Sequence, residues 1–153
     1  MPVLDLPDEA ATAALAARIS ALAEVGDVIA LKGDLGCGKT SFARAFIRAR
    51  GGAEEVPSPT FTLVQIYEFG SVAIWHFDFY RIKSPEEAWE LGIEDAFIEG
   101  ISLIEWPERL GPLLPRRRLE IKFLFGDRPE ERRVLIDVGE GWQQRLAGIS
   151  ADG

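Results

Sequence analysis

The stretch Val28-Ile29-Ala30-Leu31-Lys32-Gly33-Asp34-Leu35-Gly36-Cys37-Gly38-Lys39-Thr40 decides the fold class of this chain. It opens on a short apolar run with the length and composition of a central, buried strand. A glycine-rich turn follows, and the residues from Thr40 to Arg50 read as a helix with Phe42, Phe46 and Ile47 inward, ending at Gly51-Gly52. Gly33-x-x-x-x-Gly38-Lys39-Thr40 satisfies in full the spacing of a phosphate-binding loop between a strand and a helix. The chemistry needs these residue types. The loop must curl so that successive backbone N–H groups point at phosphate oxygens, and glycines permit the angles and the close approach. Lys39 supplies a flexible point charge for the β- and γ-phosphates, and the helix N-terminus adds its partial positive charge. Thr40 presents a hydroxyl to Mg2+. Gly33, Asp34, Leu35, Gly36, Cys37, Gly38, Lys39, Thr40 and Ser41 are therefore the candidate nucleotide-binding segment. A bare glycine-rich turn with no ligand is the competing reading, and the strand before and helix after the loop speak against it.

Working outward, Asp8 to Val25 carries Leu15, Ile19, Leu22 and Val25 at helical spacing, with Asp8 placed to cap it and Gly26 to stop it. Phe61 to Phe69 and Val72 to Tyr80 read as strands, and Gly70-Ser71 between them fits a two-residue hairpin turn. Ser84-Pro85-Glu86-Glu87 has the pattern of a helix start, with Ser84 as cap and Glu87 closing a capping box. Gly92 interrupts this helix, and Ile93 to Glu99 adds another turn or two. Ile101 to Trp106 is a second apolar strand, stopped by Pro107. Leu119 to Phe125 and Arg133 to Val138 read as a final hairpin around a Gly126 to Glu131 loop. Residues 1–140 thus form one domain, and 141–153 read as a tail, a short helix or disordered. Helices mixed with buried strands and hairpins predict an α/β fold, a P-loop NTPase-like three-layer sandwich on a mixed parallel/antiparallel sheet.

The chain of 153 residues is 47% apolar and carries a formal net charge of −8. The charge argues against broad, unaided binding of a polyanion. A local basic patch remains open: Arg116, Arg117 and Arg118 are consecutive, and Arg128, Arg132 and Arg133 follow. A solvated loop and hairpin edge is the preferred reading over a nucleic-acid footprint. The single cysteine, Cys37, excludes an intramolecular disulfide. Its position reads either as a small packing residue or as a thiol sensitised by loop amides and Lys39. The first is preferred, since bound phosphates would raise the thiol pKa. With no signal-peptide pattern and no membrane-length apolar run, the expected location is the cytoplasm.

A nucleotide-hydrolysing site also needs a carboxylate near the metal and a group that orients water. Asp78 and Glu105 each close an apolar strand run, where an unpaired carboxylate is costly. Glu105 falls at a strand's carboxyl end, where ligands bind in open α/β sheets. The alternative for each is a salt bridge, Asp78 with Arg81 or Glu105 with Arg109. Two such carboxylates on separate strands beside a phosphate loop favour function. His76, the only histidine, shares a strand face with Asp78 and reads as a structural residue first and a supporting one second. The Asn-Lys-x-Asp pattern that reads guanine is absent, which points to ATP.

In order along the chain, five blocks resemble the TsaE (YjeE) family of bacterial ATPases. These are Gly33 to Phe42, Ser58-Pro59-Thr60-Phe61-Thr62-Leu63-Val64, His76 to Arg81, Gly92 to Phe97 and Leu103 to Arg109. The resemblance implies ATP as substrate and Mg2+ as cofactor. It implies that Asp34 to Lys39 wrap the phosphates, that Thr40 and Glu105 hold the metal, and that Lys39, Asp78 and Glu105 carry catalysis. Ser58, Pro59, Thr60 and Thr62 become a switch-like loop sensing the γ-phosphate. Glu9, Arg128 or Arg133, and Glu108 are placed toward the nucleotide. The implied role is an accessory ATPase for threonylcarbamoyladenosine formation on tRNAs reading codons that begin with adenine. The implied partners are TsaB and TsaD, with tRNA engaged indirectly. Turnover is expected to be slow alone and faster with those partners. A P-loop kinase of a small molecule or protein hydroxyl, with Arg116 to Arg118 as its lid, is the alternative. A non-hydrolysing nucleotide sensor is a third reading.

Overall fold

The computed structural model describes residues 3–51, 63–139 and 141–147. In chain order the elements are β1 (Val3–Leu6), α1 (Glu9–Leu22), β2 (Val28–Lys32), α2 (Lys39–Ala49), β3 (Val64–Phe69) and β4 (Val72–Asp78). They continue with α3 (Pro85–Glu90), α4 (Ile93–Glu99), β5 (Gly100–Glu105), a 3-10 helix (Pro107–Leu113), β6 (Leu119–Phe125) and β7 (Arg132–Val138). The strands form one seven-stranded sheet in the order β1-β7-β6-β2-β5-β4-β3. β2 lies at its centre, parallel to both β5 and β6, and β4 runs parallel to β5. β3, β7 and β1 add antiparallel edges. The mixed sheet read from the hairpin signals is the one observed.

Side-chain alternation divides the sheet between two apolar layers. Ile29 and Leu31 of β2 join Phe42 and Phe46 in the larger core under α1 and α2. Val28 turns to the opposite face, where Phe77 and Ile104 pack with Ala88 of α3 and Ile93 of α4. Among the described residues no helix is long and apolar enough to cross a membrane.

Several local features depart from the sequence reading. β1 carried no recognisable signal, because four residues between two prolines become a strand only by pairing with β7. Asp8 does cap α1, its Oδ1 accepting from the Ala11 N–H at 2.9 Å, but the helix stops at Leu22 rather than Val25. Val25 is exposed, so the last apolar position of the pattern buries nothing. The predicted capping box does not form. Ser84 makes no side-chain cap, and Glu87 Oε2 accepts instead from the Lys83 N–H, one residue before the cap, at 2.6 Å. The Gly70-Ser71 turn stands, with Phe69 paired to Val72 and Gly70 at φ 64°.

The segment 141–147 is a set of turns docked on the larger core. Trp142 is 1% exposed and Leu146 is buried beside it. Arg145 holds this segment down. Its guanidinium stacks 3.9 Å from the Trp142 ring centroid and donates to both oxygens of Asp27, at 2.7 and 3.0 Å. Trp142→Ala is expected to destabilise the protein by about 3–5 kcal/mol, the cost of a large cavity in a packed core. Urea unfolding of the variant and its parent measures it.

Candidate nucleotide-binding site

The loop between β2 and α2 leaves the centre of the sheet where β2, β4 and β5 end. Its glycines are demanded by geometry. Gly33 has φ 140°, and a Cβ there would meet Cys37 Sγ at 2.5 Å and the Phe123 carbonyl at 2.7 Å. Gly38 has φ 109° at the start of α2 and offers no side-chain cap, so the first-turn amides face the loop's concave side without an internal acceptor from it. Cys37 is fully buried. Burial first, and Asp34 second among the charges, push its thiol pKa up against the opposing pull of Lys39 and loop N–H groups. The thiol is thus a packing group against Gly33 and not an activated nucleophile.

Lys39 is 4% exposed. Its ammonium donates to the Gly33 carbonyl and lies 3.6 Å from the centroid of the Trp106 ring. Trp106 follows Glu105 at the end of β5 with φ 59° and ψ 52°, a left-handed conformation uncommon for a bulky side chain. That turn sets the indole against Tyr80, ring centroids 4.9 Å apart, and over the lysine.

The two carboxylates come together as neighbours. Asp78 and Glu105 are register partners across the parallel β4–β5 pair, and both are buried. Glu105 accepts at Oε1 from the Thr40 hydroxyl, 2.8 Å away. Its Oε2 lies 2.7 Å from Nε2 of the fully buried His76. The Glu105 oxygens are therefore held by Thr40 and His76 rather than by Arg109. Asp78 Oδ1 accepts from the Tyr80 N–H at 3.1 Å.

These groups line a cavity of about 670 Å³. Its lining comes from the loop and the start of α2 (Leu35, Gly36, Gly38, Lys39, Thr40 and Ser41), from Asp78, Glu105 and Trp106 beside them, from Glu9 and Thr12 of α1, and from Glu130 and Arg132 of the last hairpin. The volume is of the order that drug-sized ligands fill, roughly 300–1,000 Å³. Hard oxygen donors on Thr40, Glu105 and Asp78 suit Mg2+, which takes one or two carboxylates and completes its shell with water and phosphate. No cluster of three or more His, Cys, Asp or Glu side chains that could hold a metal occurs among the described residues, so a dedicated protein cage is not built here.

Not every predicted site residue reaches the cavity. Arg133 turns away, its Nε donating to Oδ1 of the exposed Asp5 on β1 at 2.9 Å. Arg128 is exposed in the hairpin loop and pairs with Glu130 and Glu131. Glu108 sits exposed on the 3-10 helix outside the lining. Gly33, Asp34 and Cys37 form the loop without lining the cavity itself. Ser58, Pro59, Thr60 and Thr62 lie outside the described residues.

The arginine that does arrive is Arg132, one residue from the predicted Arg133. Adjacent strand residues face opposite sides: Arg132 shares the face of the buried Val134 and Ile136, and Arg133 falls on the other. Arg132 donates from Nε to the Cys37 carbonyl at 3.1 Å, and Nη2 lies 3.4 Å from the Gly36 carbonyl. Nη1 donates to the carbonyls of Pro129 and Glu131. One guanidinium so fastens the hairpin to the phosphate loop. Because C=O and N–H point opposite ways across a trans peptide, holding the Cys37 carbonyl outward turns the Gly38 N–H the other way. Tyr80, Arg81 and Trp106 also line the cavity and were not singled out from sequence. They lie within the blocks His76 to Arg81 and Leu103 to Arg109, and Arg81 reads there only as a salt-bridge partner for Asp78.

A family model described as "Threonylcarbamoyl adenosine biosynthesis protein TsaE" matches residues 6–134. The chain belongs to the TsaE family. The matched span contains every cavity-lining residue from Glu9 to Arg132 and stops short of Trp142. The TsaE of Bacillus subtilis (strain 168), named a tRNA threonylcarbamoyladenosine biosynthesis protein, is 40% identical over 94% of this chain and 89% of its own. The protein of that name from Rickettsia felis is 41% identical over 94% of this chain and 84% of its own. Among solved structures, the crystal structure of Bacillus subtilis YdiB superposes with a TM-score of 0.79 at 30% identity. It covers 98% of this chain and 94% of that one. Membership in TsaE and this likeness give the α/β fold of a P-loop NTPase.

Proposed function

We propose that this chain binds ATP with Mg2+ and hydrolyses it slowly. It would do so as an accessory subunit for placing the threonylcarbamoyl group on adenosine of tRNAs that read codons beginning with adenine. It would act with TsaB and TsaD. The observation that carries the reading is the meeting of three groups beside the phosphate loop. The Thr40 hydroxyl lies 2.8 Å from Glu105 Oε1, and Asp78 stands opposite Glu105 in the strand register.

Each residue then has a task. The loop amides and the Lys39 ammonium hold the phosphates and offset the charge that gathers on them. Thr40 and Glu105 would hold Mg2+, which when bound supplies neutralisation of the leaving phosphate. Asp78 accepts a hydrogen bond from the attacking water and orients it. Trp106 and Tyr80 cover the lysine and exclude bulk water, which strengthens every interaction inside. The tRNA role is supported by the names of the relatives. A net charge of −8 suits a chain that meets tRNA through partner proteins.

Incubating the protein with γ-labelled ATP, alone and with TsaB and TsaD, tests the reading. Label is expected in free phosphate, slowly alone and faster with the pair. Label on an acceptor hydroxyl would make the chain a kinase, and no release with tight binding would make it a sensor.

The Arg132 fastening gives a contrast within one dipeptide. Arg132→Ala is expected to weaken ADP binding by about tenfold, since the loop loses hydrogen bonds to a charged group. Arg133→Ala, which only breaks an exposed pair with Asp5, is expected to leave affinity unchanged. Fluorescence titration with a labelled ADP distinguishes them.

A further inference from the structure

We propose that His76 is a positioning residue: its imidazole fixes Glu105 in the rotamer that presents one oxygen to Thr40 and the metal position. The inference rests on the Mg2+–nucleotide reading of this site.

The geometry of the sheet produces the contact. Asp78 is the register partner of Glu105, and His76 is the partner of Leu103. His76 and Asp78 share a face of β4, so His76 sits one step deeper along the strand than the two carboxylates. It reaches Glu105 diagonally from the core, while Thr40 reaches it from the first turn of α2. A carboxylate held at one oxygen can still swing about its last side-chain bond. Held at Oε1 by Thr40 and at Oε2 by His76, at 2.8 and 2.7 Å, it cannot.

A packing role alone explains the residue poorly. His76 is fully buried, and among the described residues its Nδ1 has no hydrogen-bond partner. Its strand neighbour on the same face, Ile74, is apolar and belongs to the larger core. An apolar side chain there would avoid the cost of burying an unpaired ring nitrogen. What the imidazole gains for that cost is the bond from Nε2 to the Glu105 carboxylate, which can only accept. Two-point anchoring commits Glu105 to Thr40 and the metal position.

The amide side chains separate this role from a structural one. Glutamine places its amide nitrogen near the position of histidine Nε2, whereas asparagine reaches only to that of Nδ1. Both are polar and of similar bulk. ADP binding is measured by calorimetry in EDTA and across a Mg2+ series, for the parent, His76→Gln and His76→Asn. With His76→Asn, the Mg2+ concentration needed for half-maximal effect is expected to rise about tenfold, the usual effect of removing an outer-shell partner. Affinity in EDTA should stay within about twofold of the parent, because the loop amides and Lys39 are untouched. His76→Gln is expected to restore the parental Mg2+ dependence. In a Glu105→Gln background, His76→Asn is expected to add nothing, since the two residues act as a unit.

Equal Mg2+ dependence in all three proteins would overturn the proposal, and so would an equal loss of ADP affinity in EDTA by both variants. An additive effect of His76→Asn on top of Glu105→Gln would overturn it too. If His76→Asn fails to fold, His76→Ala takes its place in the same series: a raised Mg2+ requirement beside a parental His76→Gln supports the role, and an unchanged requirement in a folded His76→Ala protein refutes it. A parent that binds ADP indifferently to Mg2+ would bring down the underlying reading as well. A parent that responds to Mg2+ while the variants do not differ from it defeats this inference only.

Discussion

Lys39→Ala is expected to weaken ATP and ADP binding about 100-fold while leaving the fold intact. On the proposed reading the ammonium is the one positive side chain of the loop that would meet phosphate. Losing charge-assisted hydrogen bonds to it removes roughly 1.5–3 kcal/mol per contact. At the lower bound, two such contacts correspond to about two orders of magnitude in dissociation constant. Stability should hardly suffer. Lys39 is 4% exposed, and among the described residues it contacts the Gly33 carbonyl and the Trp106 ring and pairs with no carboxylate. Removing a desolvated charge offsets the loss of those contacts. Nucleotide titration and thermal unfolding of the same preparation check both halves. Undiminished affinity would mean that nucleotide does not sit on the loop, and collapse of the fold would make Lys39 a structural cation.

Glu105→Gln should lower the rate of hydrolysis at least 100-fold while nucleotide affinity in EDTA stays close to that of the parent. The amide keeps the shape of the side chain and can still bond to the Thr40 hydroxyl. It removes the negative charge that would hold Mg2+ against the phosphates. Loss of one preorganised electrostatic group in a site shielded from water costs about 10²–10³ in turnover. Asp78→Asn is expected to lower turnover on a similar scale for a different reason. Asparagine cannot act as the charged acceptor that orients water, although its side-chain oxygen can keep the Tyr80 N–H bond. The Mg2+ dependence separates the two: it should shift with Glu105→Gln and remain with Asp78→Asn. Single-turnover hydrolysis across a Mg2+ series measures this. Parental rates in Glu105→Gln would remove Glu105 from the site chemistry and leave the Thr40 bond as a helix-capping contact.

Much of this site was legible before any coordinates because the phosphate loop is a local structure. Its glycines, lysine and threonine sit within thirteen residues of the quoted stretch. Their spacing follows from the turn they must make between strand and helix. The alternation of β4 likewise placed His76 and Asp78 on one face without reference to any other element. Where the reading failed, the cause was a partner distant in sequence. β1 exists through its pairing with β7, and Arg132 meets the Cys37 carbonyl, 95 residues away in sequence, only in the folded chain. Trp142 gave no periodic signal, since a single aromatic in a set of turns has no period. It is nonetheless one of the largest fully buried side chains.

The sequence by itself therefore determined that this chain has a strand–loop–helix unit for phosphate, two carboxylates at strand ends and an α/β architecture. Those properties arise within short segments, where backbone sterics, hydrophobic period and the demand for glycine act on neighbours. Only the tertiary structure decided which groups meet. It paired Asp78 with Glu105 across β4 and β5, and it turned Trp106 over Lys39. It joined Thr40 and His76 to opposite oxygens of one buried carboxylate, and it fastened the loop with Arg132. Sheet register and helix docking set those distances, and both are fixed by packing between residues far apart in the chain.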